Sequence, residues 1–227
     1  MHFGRGFVAL IRIRRAGPQE NFIELGQRGA VGQFVNPRGQ LGELLAVAAI
    51  IGAANESGLT PKMLGGAMIG MLITPIRVQL GPIANGLVIS ETFLPSPKLQ
   101  FDGLADVMKR YQARAGDLKT DPIGYAFVPI GYSAGQVLAK AVTETKSLDH
   151  DKLAAYVSAT QFDTVLGKIK FAKDGEWTEA RQFTTQVQNV IPNNLDQFRD
   201  GSKTPVLWPL EYKSGDLIYP YADARKK

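Results

Sequence analysis

The 227-residue sequence contains no cysteine and only two histidines, His2 and His150. The absence of cysteine excludes disulfide bonds, thiolate metal sites and cysteine nucleophiles. Zinc sites and Ser-His-Asp hydrolases both require histidine, and one of the two histidines stands at the extreme amino end. Such chemistry would rest almost entirely on His150, so we expect neither a metal nor a cofactor.

Lysine and aspartate are missing from the first part of the chain. Residues 1–45 contain six arginines and three glutamates, whereas the first lysine is Lys62 and the first aspartate is Asp102. Beyond this point the two signs of charge nearly balance. Because the net charge of +5 is so unevenly distributed, it does not indicate a nucleic-acid partner.

Long hydrophobic runs are also absent. Residues 41–58 are apolar, but the run is too short and too rich in glycine and alanine to span a bilayer. Residues 1–15 carry arginines on both sides of a short apolar run, whereas a secretory signal has its charge before that run and a small-residue cleavage site after it. We recognise no signal peptide in this chain.

Hydrophobic residues make up 44% of the chain and charged residues 21%, as in an ordinary globular protein. Between residues 41 and 145 the pattern predicts alternating helices and strands, which favours an α/β sheet flanked by helices. Helices are predicted at 41–57, 69–80 with a break near Pro75, 101–114, 129–145 and 152–160. Strands are predicted at 7–13, 62–64, 86–93, 165–171, 182–190 and 206–208, and the rest of residues 1–40 is predicted to be loop.

Two of these helices have a predicted inner face. In helix 101–114 the residues that share a face are Leu104, Val107, Met108 and Tyr111. In helix 129–145 the predicted core stripe consists of Ala134, Leu138, Ala141 and Val142.

A glycine-rich turn, Gly65-Gly66-Ala67-Met68-Ile69-Gly70, lies between a predicted strand and a predicted helix. It lacks the full dinucleotide-binding fingerprint and the Lys-Ser/Thr of a P-loop. A tight strand-to-helix turn accounts for these glycines without any ligand. Because the turn follows the carboxyl end of a strand, its backbone could also contribute hydrogen-bond donors to a ligand cleft.

Other candidate groups have simple structural interpretations. In Asp149-His150-Asp151, adjacent side chains point in different directions, so Asp149 is predicted to cap a helix rather than to bind metal. Glu176 and Glu179 flank a predicted hairpin turn and are interpreted as a polar rim rather than as a catalytic pair. For the aromatic residues Tyr125, Phe127 and Tyr132, core packing and ligand stacking are both open.

Several short segments occur in a characteristic order over about four-fifths of the chain. They are Ala53–Gly66, Gln79–Pro82, Asn85-Gly86, Asp121-Pro122, Gly124-Tyr125, Tyr132–Leu138, Thr164–Gly167, Phe171, Asp174–Trp177 and the tail from Trp208 to Pro220. Together these segments resemble the carboxy-terminal part of periplasmic binding proteins of the leucine/isoleucine/valine type, which serve ABC transporters. Residues 1–45 show no such resemblance and have the composition of an out-of-frame translation.

The resemblance implies part of a two-lobed type I periplasmic-binding-protein fold, with parallel sheets flanked by helices. Residues 46–92 and 165–190 are expected in the second lobe and residues 93–164 in the first, so the chain would be a truncated form. The expected ligand contacts are Gly66, Ala67, Met68, Phe127 and Tyr132. An acidic contact is frequent at the position of Ala67 in amino-acid binders, so an aromatic or other carboxylate is as plausible a ligand as a branched-chain amino acid.

The resemblance also implies a function without catalysis. The expected partners are a small-molecule ligand and an ABC-transporter permease, and the expected location is the periplasm. Two alternatives stay open on the residues alone: a ligand-sensing regulatory domain on the same fold, and an α/β enzyme using Glu176 or His150.

Overall fold

The computed structural model describes residues 12–16, 20–24, 49–59, 61–67, 69–179 and 181–226. The strands are β1 (Arg12–Ala16), β2 (Glu20–Glu24), β3 (Met63–Gly66), β4 (Leu87–Glu91), β5 (Gln161–Thr164), β6 (Gly167–Lys170), β7 (Phe183–Gln186) and β8 (Val206–Trp208). Six of them form a mixed sheet of order β1-β2-β3-β4-β7-β8. Strands β2, β3 and β4 are parallel, whereas β1, β7 and β8 each run antiparallel to a neighbour.

Helices lie between the strands, as the hydrophobic pattern predicted. They are α1 (residues 49–56), α2 (Thr74–Leu80), α3 (Leu104–Ala115), α4 (Val128–Thr145), α5 (His150–Ala159) and α6 (Tyr221–Ala224). Short 3₁₀ turns occur at Ile69–Leu72, Gly81–Ala84, Asp196–Phe198 and Leu210–Tyr212. The α/β class is confirmed, and no helix of the described segments is both long and apolar enough to cross a bilayer.

Local sequence signals locate several element ends correctly. Gly58 follows α1 with φ +66°, the left-handed conformation expected of a residue just beyond a helix. Pro75 lies in the first turn of α2, just after the 3₁₀ turn, because proline fits the first turn of a helix but not its interior. On α3 the predicted face is correct: Leu104, Val107 and Met108 are buried.

The predicted core stripe of α4 is wrong in part. Ala134 is exposed and Leu138 is 56% exposed, whereas the buried residues are Pro129, Ser133, Val137 and Ala141. The buried face packs against α3, α5 and β5. Ala141 is buried as predicted, and Ser133 is a small residue that allows close packing but that a pattern weighted by hydrophobicity does not reveal.

Two strand predictions also need correction. The predicted strand 165–171 is instead the turn and second arm of an antiparallel hairpin, in which Phe162 pairs with Ile169. The predicted loop over the early residues contains β2, which pairs with β3 in parallel at Ile23 and Leu64. The beginning of the predicted strand 7–13 and of the predicted helix 41–57 lies outside the described residues.

Buried side chains form two hydrophobic clusters. The first lies around β3, β4 and α2, and the second lies around α3 and the β5–β6 hairpin. The first cluster includes Ile51, Leu64, Met71, Leu87, Ile89, Val187 and Val190. The second includes Phe93, Leu104, Val107, Met108, Val165, Leu166, Ile169 and Phe183. The segment expected in the second lobe, 165–190, thus contributes to both clusters.

Candidate functional site

The predicted glycine-rich turn leaves the sheet at the carboxyl end of β3. Gly66 is the last residue of that strand and is half-buried, Ala67 is exposed, and Met68 lies outside the described residues. A Cβ on Gly65 would stand 2.2 Å from the carbonyl oxygen of Val88 on β4. Glycine is therefore needed at 65 for the close approach of the two parallel strands, which is a different structural reason from the tight turn that the sequence predicted.

The helix that follows the turn has no cap of its own. Ile73 occupies the N-cap position of α2 and has no side-chain hydrogen-bonding group. The backbone N–H of Thr74 instead donates to Oδ2 of Asp121, at 2.8 Å. A carboxylate at this position satisfies a free N–H and interacts favourably with the positive end of the helix dipole.

Asp121 begins a loop that ends at α4, and this loop is held from several sides. Oδ1 of Asp121 accepts from the N–H of Ile123 at 2.9 Å and of Gly124 at 3.3 Å. The hydroxyl of Tyr111 donates to the backbone carbonyl of Asp121 at 2.7 Å. Gly124 has φ +73°, and a Cβ there would lie 2.2 Å from the ring of Tyr111. The loop therefore has little freedom to shift.

The same loop contacts the segment that leaves β4. The hydroxyl of Thr92 donates to the carbonyl of Ala126 at 3.3 Å. The rings of Tyr125 and Phe93 lie 6.2 Å apart. Phe127 then occupies the N-cap position of α4. These contacts hold the segment after β4 against the loop that leads into α4, and the Thr74–Asp121 hydrogen bond holds the segment after β3 against the same loop.

A small, partly open cavity lies at this junction and has a volume of about 20 Å³. Its wall includes Arg77 and Glu91, which form an ion pair at 2.9 Å with 7% and 3% of the side chains exposed. Arg77 Nε also donates to the carbonyl of Met71, and the Thr185 hydroxyl donates to Glu91 Oε1 at 3.3 Å. Such a volume accommodates about one water molecule, so this cavity is too small for a solute.

One side of the cavity is closed by the loop between β7 and β8, which contributes Thr204. Gly201 has φ +75°, and a Cβ there would stand 2.4 Å from the carbonyl oxygen of Pro95. Within the loop the N–H of Ser202 donates to Asp200 at 2.9 Å, and this bond is the main cause of the lowered pKa of the Asp200 carboxyl. The close packing at Gly201 fixes the loop against the segment that leaves β4.

The predicted aromatic contacts have different surroundings. Phe127 is 50% exposed and Tyr132 is 43% exposed, so the core interpretation is wrong for both. Tyr125 packs against the second hydrophobic cluster, as that interpretation predicts. The Thr74–Asp121 hydrogen bond links the segment after Gly66 and Ala67 to the segment before Phe127. Ligand contact by Gly66, Ala67, Met68, Phe127 and Tyr132 stays a prediction.

The remaining candidate groups do not assemble into a reactive centre. Asp149 caps α5 by accepting from the N–H of Lys152 at 2.9 Å, which confirms its predicted role, and His150 is exposed. Glu176 and Glu179 are exposed. Among the described residues no three His, Asp or Glu side chains are grouped so as to hold a metal ion.

The sequence pattern did not predict the ion pair of Arg77 and Glu91 or the hydrogen bonds that the Asp121 carboxylate accepts. The sequence does carry a signal for the ion pair: Arg77 and Glu91 are the only charged residues between Lys62 and Lys98. Buried charges are normally paired, so two opposite charges in apolar segments predict a partner for each other.

The architecture is an α/β sheet flanked by helices, with the carboxyl ends of β3 and β4 near the start of α4. A sequence model described as periplasmic binding protein matches residues 45–189. The chain therefore belongs to the periplasmic-binding-protein family, whose members are periplasmic. No curated protein matches the chain by sequence.

The fold is similar to that of several solved structures. A leucine-binding protein of Thermotoga maritima superposes with a TM-score of 0.53 at 20% identity, over 64% of this chain and 39% of that protein. A periplasmic binding protein of Burkholderia mallei has a TM-score of 0.53 at 18% identity, over 79% and 44%. A solute-binding protein of R. palustris in complex with benzoate has a TM-score of 0.50 at 17% identity, over 81% and 50%.

These likenesses confirm the type I periplasmic-binding-protein fold. The chain spans between 39% and 50% of the length of these three proteins.

Proposed function

We propose that the chain is the solute-binding component of an ABC transporter and acts in the periplasm, where it delivers a small carboxylate to a membrane permease. The observation that carries the proposal is the family match over residues 45–189. No bond is made or broken in this function. Binding stabilises one arrangement of two lobes, and that arrangement is the one the permease recognises.

The proposed ligand site lies where the strand ends meet the start of α4. Gly66 ends β3 and Ala67 follows it, and both present backbone with little side chain, which leaves room for a polar group of a ligand. Phe127 and Tyr132 are half exposed on the first turns of α4. Aromatic rings that are not buried in the core can stack on an apolar or aromatic part of a solute.

The ligand class follows from the side chains around this position. Ala67 has no charge to pair with the ammonium group of an amino acid, whereas aromatic rings suit a planar, apolar solute. The leucine-binding protein and the benzoate complex among the similar structures represent the two ligand classes under consideration. We infer a small carboxylate with an apolar or aromatic body, and leucine and benzoate are the two probes that test it.

In this proposal residues 46–92 belong to the second lobe and residues 93–164 to the first. The separation of the two hydrophobic clusters supports a boundary near Thr92, since Ile89 lies in one cluster and Phe93 in the other. The segment 92–96 would then be one of the crossings between lobes.

Isothermal titration calorimetry with leucine and with benzoate tests the proposal. In a protein that carries both complete lobes, we expect saturable heat with at least one probe, and a loss of affinity of about 2 kcal/mol, roughly 30-fold, in Phe127→Ala or Tyr132→Ala. Tyr219→Ala is the matched control, since Tyr219 is an aromatic residue of similar exposure, 53%, outside the proposed site.

Circular dichroism of each variant shows whether the fold is retained. Absence of saturable heat with both probes in the protein with both complete lobes would contradict the proposed function. Unchanged affinity in Phe127→Ala and Tyr132→Ala, with binding intact, would instead remove these two residues from the site.

A further inference from the structure

Asp121 is the only carboxylate that the described contacts place between the turn after β3 and the start of α4. One of its oxygens, Oδ2, accepts from Thr74 N–H at 2.8 Å. The other, Oδ1, accepts from Ile123 N–H at 2.9 Å and from Gly124 N–H at 3.3 Å. Each oxygen therefore serves a different segment of the chain.

The two segments lead to the two groups of proposed ligand contacts. Thr74 is the first residue of α2, and the chain before it returns through the 3₁₀ turn to Ala67 and Gly66. Gly124 accepts from Val128 N–H at 3.1 Å at the start of α4, directly beside Phe127. A displacement of the carboxylate would therefore change the distance between the two groups.

The backbone of Asp121 is itself fixed, so the side chain acts as a rigid connector. Its carbonyl accepts from the Tyr111 hydroxyl at 2.7 Å, and the neighbouring carbonyl of Ile123 accepts from Gln112 Nε2 at 3.0 Å. Both donors belong to α3, a twelve-residue helix of the second hydrophobic cluster. The loop is thus anchored on one cluster while its carboxylate holds a helix of the other.

We propose that Asp121 is a positioning residue of the ligand site: it holds the turn after β3 and the start of α4 at a fixed separation. This inference rests on the proposed function. Asp121 is assigned no direct contact with the solute, and its effect on affinity is exerted through Ala67 and Phe127.

An asparagine substitution separates this role from ordinary helix capping. Asparagine is as good a cap as aspartate, but it has a single acceptor oxygen, and its amide nitrogen can only donate. In Asp121→Asn one of the two connections must therefore break. Asp149→Asn is the matched control, because Asp149 caps α5 through one oxygen, Oδ1, bonded to Lys152 N–H.

Hydrogen exchange followed by NMR measures the connection without any ligand. In Asp121→Asn we expect exchange to become about 10-fold faster at Thr74 N–H, or at both Ile123 and Gly124 N–H, because a hydrogen bond to a charged group is lost. In Asp149→Asn we expect exchange at Lys152 N–H to stay within about twofold. Unchanged exchange at Thr74, Ile123 and Gly124 in Asp121→Asn would overturn the inference.

Calorimetry with leucine and benzoate then tests the positioning of the site. We expect affinity for the probe that binds to fall about 10-fold in Asp121→Asn and to remain unchanged in Asp149→Asn. Equal affinity of wild type and Asp121→Asn overturns the positioning role and leaves the proposed function intact. Absence of binding by the wild type contradicts the proposed function, while the exchange data still decide whether Asp121 holds the two segments together.

Discussion

Arg77 on α2 and Glu91 at the end of β4 form an ion pair inside the protein. Their ion pair is almost completely buried, with 7% and 3% of the side chains exposed. The desolvation of two charges offsets much of their attraction, so the pair contributes little net stability relative to apolar residues of similar volume. The loss of one partner is far more damaging, because the other charge stays buried without compensation.

Arg77→Met is therefore expected to lower the free energy of unfolding by about 3–5 kcal/mol. The double variant Arg77→Met/Glu91→Leu should recover most of this loss, since no unpaired charge is left. Urea denaturation measures the free energy of unfolding of the single and the double variant. The control is Asp106→Ala, which removes an exposed pair with Arg110 and should change stability by about 0.5 kcal/mol or less. An Arg77→Met variant that loses no more unfolding free energy than the Asp106→Ala control would contradict the prediction.

At the scale of elements, the approach of β3 to β4 depends on Gly65. The atom that a Cβ would meet at 2.2 Å is the backbone oxygen of Val88, which cannot turn away as a side chain does. Two parallel strands must then separate or twist to accommodate a methyl group. This pairing also places Gly66 and Ala67 at the edge of the sheet, so its geometry determines where the proposed site begins.

We expect Gly65→Ala to lower the free energy of unfolding by about 1–3 kcal/mol through overpacking. Gly135→Ala is the control, because Gly135 lies within α4 and a Cβ there would have no atom within 4 Å. That substitution should raise stability by about 0.5–1 kcal/mol, since glycine is unfavourable inside a helix. Thermal unfolding of the two variants would refute this interpretation if both changed stability in the same direction.

For the molecule as a whole, the outer face of α4 is an apolar surface. Ile130 and Leu138 are 38% and 56% exposed. At helical spacing they lie on the same side of the helix together with Ala134. Contiguous exposed apolar surface on this scale favours association, because covering it removes apolar area from water.

The purified chain is accordingly expected to self-associate as its concentration rises. Size-exclusion chromatography with light scattering should show the average mass falling toward 24.7 kDa in Leu138→Lys. Leu148→Lys is the matched control, since Leu148 is 77% exposed but lies beyond the end of α4. A wild-type chain that stays monomeric at the highest concentration would contradict this expectation.

The sequence by itself determined those features that depend on neighbours within a few residues. Asp149 as a helix cap, Gly58 after α1 and the buried face of α3 all follow from spacing along one element, because capping and helical periodicity act over one or two turns. The order of short segments along the chain likewise indicated the family, and the match of the family's sequence model to residues 45–189 confirms it.

Only the tertiary structure decided which elements meet. Strand β7 lies between β4 and β8, Thr74 is capped by Asp121 from 47 residues away, and α4 buries Ser133 while Leu138 is exposed. None of these follows from local pattern. Each depends on the surface that a neighbouring element presents, and a sequence specifies that surface only once the whole chain has packed.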